Sequence, residues 1–392
     1  MTAPRASASR PDSHGGFLHR PQPVWARRVL FQVHLWAGLL AGLYIAVVSL
    51  TGAALVFRID IQRWQYPHLF TAGAGTPLDA AAILERVQQA FPGDRVSGVD
   101  APTAARPTYL AYVVTPDRFL TLFVEPVSGT VLGELPQRTV IRTMQDLHFD
   151  LLGGRTGRTL NGAGAGVLLV LCATGLVIWW PGMARWRRGF VVDLRRSWKR
   201  VIWDIHGAAG ICAAAFLAIW AITGIHFAFP ARFRAAVNAV APLTAAATPR
   251  SIPSTALKAG TEGSTEPAST WRPLIDTARE QVPDQHVARV VVPSDPRAAF
   301  LVMFSPARPT PPGATLTSVY LDQYSGTVVA VRRPAERSLG DAVVDWLTPL
   351  HIGSFGGRLV QAVWVLFALA PPILFATGFT MWWTRTVRQP WF

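Results

Sequence analysis

The sequence predicts a mainly α membrane protein: a four-transmembrane-helix bundle of two parallel repeats, with two extracytoplasmic α+β modules. Three observations predict it. Half of the 392 residues are hydrophobic and only 15% are charged, where an ordinary soluble domain carries about 25%. Four apolar runs free of Asp, Glu, Lys and Arg are each long enough for the ~20 helical residues that cross a bilayer core. One motif, LHxxxxGGR, is written twice, at Leu147–Arg155 and at Leu350–Arg358. Each of its histidines precedes a Thr-Gly pair by 26 residues, at Thr174-Gly175 and Thr377-Gly378, and a Trp-Trp pair starts five residues after each threonine. Such spacing is the mark of a duplicated unit.

In chain order, residues 1–28 hold five arginines among Pro, Ser and Gly and read as a basic cytoplasmic tail. Residues 29–58 carry the first span, whose 23-residue apolar stretch Leu35–Phe57 exceeds the ~7–15 residues of a signal peptide's apolar region. Residues 59–140 change to a soluble pattern: a helix over Leu78–Phe91, strands at Arg95–Val99, Tyr109–Val114 and Phe119–Glu125, a turn, and a strand from Thr130. The first LHxxxxGGR element and the second span, Leu160–Trp180, fill 141–182. Residues 183–203 form a short loop; across Pro181–Arg200 seven Lys and Arg face one acid, Asp193, which places this loop in the cytoplasm.

The third span, Gly207–Phe229, lies in 204–230, and 231–269 is a linker rich in Pro, Ala, Thr and Ser from Pro242 to Ser269. A second soluble pattern occupies 270–340, with a helix over Trp271–Gln281, strands at Ala288–Val292 and Phe300–Phe304, and a hairpin Val319–Val331. The second LHxxxxGGR element and the fourth span, Leu359–Trp383, fill 341–385, where Pro371-Pro372 is expected to kink the helix. A tail, 386–392, closes the chain. All short basic segments fall on one side, so the topology is N-in and C-in with both modules outside.

The duplication reaches the first span of each half. His34 precedes Thr51-Gly52 by 17 residues, and His206 precedes Thr223-Gly224 by 17. The half-to-half offset is 172 at the first histidine and 203 at the second; the 31 extra residues match the linker in length. Two halves that each run in-to-out and back are parallel repeats, related by a pseudo-two-fold axis along the membrane normal.

That symmetry gives the histidines a chemistry. His34 and His206 start their helices on the cytoplasmic side, and His148 and His351 approach theirs from the outer side. An axis between the repeats brings each pair face to face, the arrangement of two bis-histidine haem sites. Without a CxxCH sequence the cofactors are two haem b, bound non-covalently. His226, twenty residues after His206, is the replacement ligand for the outer site, although its repeat equivalent is Ala54. It takes the site unless Gly153-Gly154 and Gly356-Gly357 bend the chain or the bundle extends beyond the hydrocarbon, because His148 precedes Leu160 by twelve residues.

Gly38, Gly42, Gly207 and Gly210 leave room for a flat macrocycle. Arg155 and Arg358 suit haem propionates or, alternatively, lipid headgroups. The Trp-Trp pairs are read as an interfacial belt ahead of an electron-transfer role. His68 and His286 fall in the soluble modules and His14 and His19 in the tail, all as solvated residues. Cys172 and Cys212 lie in apolar runs as packing residues. The run Gly162–Gly166 follows no strand and reads as helix packing, not as a dinucleotide fingerprint. Net charge of +14 does not make a nucleic-acid binder, since the cations sit beside apolar spans.

The LHxxxxGGR elements, the span-ending Thr-Gly pairs and the hairpins Glu125–Val131 and Asp322–Val328 together resemble the PepSY-associated transmembrane helix family, whose members include inner-membrane ferric-siderophore reductases. The resemblance covers His34 to Arg385, and the two modules look like PepSY domains. It implies electron transfer through two b haems to a ferric siderophore or other ferric chelate in the periplasm, releasing Fe(II) for iron uptake. No nicotinamide or flavin motif is present, so the donor is quinol or a separate cytoplasmic reductase, and the remaining partner is the lipid bilayer. The competing expectations are a non-enzymatic anchor presenting PepSY-like modules and, last, a transporter, whose spans would be expected to carry midplane charges.

Overall fold

The structure, a computed structural model, describes residues 25–183, 185–244, 249–251, 270–306 and 316–386. The tail up to residue 24 with His14 and His19, most of the linker Pro242–Ser269, and residues 387–392 lie outside them.

The first span is α1 (Trp25–Val56), ten residues longer at its start than its apolar stretch. Phe57 separates it from α2 (Arg58–Gln65), and a single 3₁₀ turn, Pro67–Phe70, follows. α3 (Ala80–Ala90) starts where Asp79 accepts the Ala82 N–H at 2.8 Å, an N-cap for one of the orphan donors of a first turn. The strands β1 (Arg95–Asp100), β2 (Tyr109–Val114), β3 (Phe119–Val124) and β4 (Val131–Glu134) come next, within two residues of their predicted positions. α4 (Val140–Asp150) leads into the second span, α5 (Gly154–Trp179).

The third span is α6 (Trp198–Ala228), and α7 (Pro230–Val240) opens on the proline expected to end it, because a first helical residue needs no N–H. Residues 231–240, assigned to the linker, are therefore helical. α8 (Arg272–Glu280), β5 (His286–Val291), β6 (Phe300–Ser305), β7 (Thr317–Leu321) and β8 (Val328–Arg332) repeat the first module. α9 (Leu339–Ile352) is closed at its start by a Ser338–Asp341 capping box. The fourth span is broken into α10 (Gly357–Ala368) and α11 (Ala370–Thr386) at Leu369, just before Pro371-Pro372, which cannot donate to the turn behind them.

The chain forms two compact units, residues 1–54, 146–229 and 362–392, and residues 55–145 and 230–361. In the first, α5 packs along α6 and α6 along α11. Phe216 stacks on Phe367 with ring centroids 3.8 Å apart, over a small core of Ala213, Leu217 and Ala370. Gly162 and Gly164 do pack helices: a Cβ there would strike Ala228 and the Tyr44 ring. The outward faces are apolar, with Leu40 82% exposed, which is costly in water and free of cost in lipid.

In the second unit the two modules, expected as separate bodies, share one eight-stranded antiparallel sheet in the order β4-β3-β2-β1-β5-β6-β7-β8. β1 pairs with β5 through Gly98↔Val291, Val99↔Val290 and Asp100↔Arg289. Both strands bulge at the same place, after Val96 and after Val287, so Val99 and Val290 are equivalent residues directly opposite each other. α3 and α8 bury Ile83, Leu84 and Val87 with Leu274, Ile275 and Ala278 in a single core that spans both modules. Arg289 closes the junction on Asp100 at 2.5 Å, and Arg272 reaches Asp79 at 2.9 Å. Burial and the Asp100 charge push the Tyr112 hydroxyl up to about 12, which keeps it a donor to Asp100 at 2.8 Å.

Candidate functional site

His34 on α1 and His206 on α6 come together in the first unit, their ring centroids 6.4 Å apart and their planes at 86°. Each is held by the Thr-Gly pair of a neighbouring helix. His34 Nδ1 lies 2.9 Å from Thr174 Oγ1 on α5, and His206 Nδ1 lies 2.9 Å from Thr377 Oγ1 on α11. The separations, 140 and 171 residues, differ by the same 31 residues as the two halves.

A hydroxyl has one proton, and these hydroxyls donate it along their own helices, to Val170 O at 2.7 Å and to Ile373 O at 2.7 Å. Towards the imidazole they can only accept. That arrangement suits the Nδ1–H tautomer of each ring, which leaves the Nε2 lone pair free. The glycine after each threonine makes the space, since a Cβ on Gly175 would sit 3.1 Å from His34 Cε1, and one on Gly378 would sit 3.3 Å from His206 Cε1.

Both rings line a cavity of about 1490 Å³ between α1, α5, α6 and α11, larger than the ~300–1,000 Å³ of ordinary small-molecule sites. Gly38, Gly42, Gly207 and Gly210 line it as well, as expected of the small residues beside the two histidines. Its lining also includes Arg188, Lys199 and Arg385.

His148 stands in the last turn of α4, and the LHxxxxGGR element bends the chain sharply behind it. Leu151, Leu152 and Gly154 take φ of 53°, 60° and 55°, and a Cβ on Gly157 would lie 1.6 Å from Asp150 O. In the second copy the left-handed positions are Gly353 and Gly357, at 68° and 66°. Gly154 and Gly357 are the same motif position, and nothing lies within 4 Å of a Cβ on either, so the backbone angle and not crowding calls for glycine there.

The bend turns His148 onto α1. Its Nδ1 is 2.9 Å from Val48 O, which can only accept, and 3.3 Å from Thr51 Oγ1, whose proton goes to Val48 O at 2.8 Å. A Cβ on Gly52 would lie 2.8 Å from His148 Cε1. Asn161 donates to His148 O at 2.6 Å and accepts from the Tyr44 hydroxyl at 2.5 Å, tying the element to α5 and α1.

The other expected residues fall as follows. His226 is half-buried in the last turn of α6, its ring 5.3 Å from that of Phe227. His351 lies in the last turn of α9, in the second unit. Arg155 is exposed at the start of α5. Arg358 grips Asp60 with two hydrogen bonds of 2.5 Å, which hold that carboxyl below the usual range. His68 and His286 are exposed and both cysteines are free. Sequence reasoning used the Thr-Gly pairs as repeat markers and missed that they seat the histidines. The signal was present, because spans that alternate in direction bring the end of one beside the start of another, which places Thr174 and Thr377 level with His34 and His206.

A family described as the PepSY-associated TM region matches residues 31–385. The chain belongs to that family. With its four apolar spans it is a multi-pass membrane protein whose antiparallel sheet domain interrupts the spans. No curated protein matches the chain.

Proposed function

We propose that the chain is an inner-membrane b-type dihaem protein that passes electrons from quinol or a cytoplasmic reductase to a periplasmic ferric siderophore or similar ferric chelate. The observation that carries this reading is the His34–His206 pair. Two imidazoles about 2 Å from one metal ion on opposite sides have centroids about 6 Å apart, close to the 6.4 Å found. Among the described residues no group of three or more His, Cys, Asp or Glu is placed to bind a metal, so two imidazoles would need a macrocycle to complete the coordination. Bound haem supplies one-electron transfer.

The chain's own residues do the rest. Thr174 and Thr377 orient the ligand rings, the glycines open the cavity, and the apolar spans exclude water. A second haem, with His148 and His351 or with His226 in place of one of them, rests on the sequence repeat, and the N-in, C-in topology rests on the placement of the basic segments. Substrate Fe(III) takes up one electron and leaves as Fe(II), which the chelator's hard oxygen donors hold less tightly.

The dithionite-reduced spectrum of purified protein with its haem-to-protein ratio tests the reading. A Soret band and two haems per chain are expected, falling by one in His34→Ala and in His206→Ala. The absence of a Soret band removes the haem and leaves the non-enzymatic anchor; failure of chelator-trapped Fe(II) to appear from ferric siderophore removes the reductase.

A further inference from the structure

We infer that Thr174, Thr377 and Thr51 are positioning residues that set which histidine nitrogen binds a metal and how strongly it donates. The inference rests on the haem reading for its consequence, but its geometry stands without a cofactor. Three histidines on different elements meet three Thr-Gly pairs in one way: Nδ1 against the hydroxyl at 2.9, 2.9 and 3.3 Å, and Cε1 over the glycine. His148 Nδ1 also lies 2.9 Å from the carbonyl of Val48, three residues before Thr51.

A helix carbonyl and a hydroxyl already spent on its own helix offer the ring acceptors only. Nδ1 keeps its proton, Nε2 becomes the ligating atom, and the donated hydrogen bond adds electron density to the imidazole, the usual effect of an acceptor behind a metal-bound histidine. Thr223 donates to Ile219 O at 2.8 Å in the same fashion and completes the set of four Thr-Gly pairs.

The test has two arms. In protein without haem, ¹⁵N spectra of histidine-labelled chain should show Nδ1 protonated and Nε2 unprotonated at His34. Thr174→Val, which keeps the shape and removes the acceptor, should lose that preference, and Thr174→Ser should restore it. In haem-loaded protein, Thr174→Val should bind haem 10–100-fold more weakly and raise the potential of that haem, with Thr174→Ser again restoring both. An Nε2–H tautomer in the wild type, or a Thr174→Val variant matching it in both arms, overturns the inference. A wild type that takes up no haem overturns the function above, while the first arm still decides the role of the threonine. Gly175→Ala, which fills the 3.1 Å approach without touching the hydroxyl, should loosen haem and leave the tautomer unchanged.

Discussion

Glu125 and Asp322 show at the residue scale how a repeat keeps a role while changing the side chain. Glu125 Oε2 accepts from the Val127 and Ser128 N–H groups at 2.9 and 2.5 Å, and its Oε1 from Gly73 N–H at 2.8 Å. Asp322 Oδ1 accepts from Tyr324 and Ser325 N–H at 2.9 Å each. The longer Glu also reaches back to the segment before α3. Partial burial would raise the Glu125 carboxyl, but hydrogen bonds from Ser128, Gly73 and Val127 outweigh it and hold the group at about 2. A folded value below the unfolded 4.5 means that its stabilisation is complete above 4.5 and is lost as pH falls through about 2. Thermal unfolding across that window should show Glu125→Gln less stable than wild type above 4.5 and the difference closing in acid; a difference independent of pH would remove the assignment. Side-chain roles of this kind were partly legible. The histidines stood out by type and spacing, whereas Thr174 lies 140 residues from His34 and Asp60 lies 298 from Arg358, separations that one sequence does not couple.

Elements were legible wherever one periodicity ran unbroken. The four spans and the strands β2, β3 and β6 were found within a few residues because apolar length and alternation are local properties. The helices α2, α4, α7 and α9 were not, because each abuts a span, a motif or the linker and was read as part of its neighbour. The β1–β5 junction was hidden for another reason: β1 reads Arg-Val-Ser-Gly-Val-Asp, and pairing partners do not show in a strand's own pattern. Gly98 makes the junction possible. Its φ is +151°, and a Cβ there would lie 2.3 Å from Val290 O, a backbone atom that cannot move without breaking the ladder. Gly98→Val should destabilise the sheet by more than about 2 kcal/mol. Hydrogen exchange should quicken first at the β1 and β5 amides; unchanged protection there would show that the junction does not depend on Gly98.

For the whole molecule, the proposed inner-membrane, N-in and C-in topology, with both modules outside, is open to a direct test. In a chain whose Cys172 and Cys212 are replaced by serine, a membrane-impermeant maleimide should label Ser128→Cys from outside the inner membrane and Arg187→Cys only once that membrane is broken. Labelling in the opposite sense would overturn the proposed topology and the proposed direction of electron flow. The two modules were legible as patterns of helix and strands, but their pairing into one sheet was not, because a strand's own pattern does not say which edge it touches. The sheet junction has a further consequence. At its centre, equivalent residues face each other and the flanking pairs exchange places: Gly98 meets Val291, the counterpart of Asp100, while Asp100 meets Arg289, the counterpart of Gly98. That is the rule of an isologous contact, in which one edge is complementary to itself. One module alone would present that edge unpaired and open to a second copy of itself; here the other module covers it.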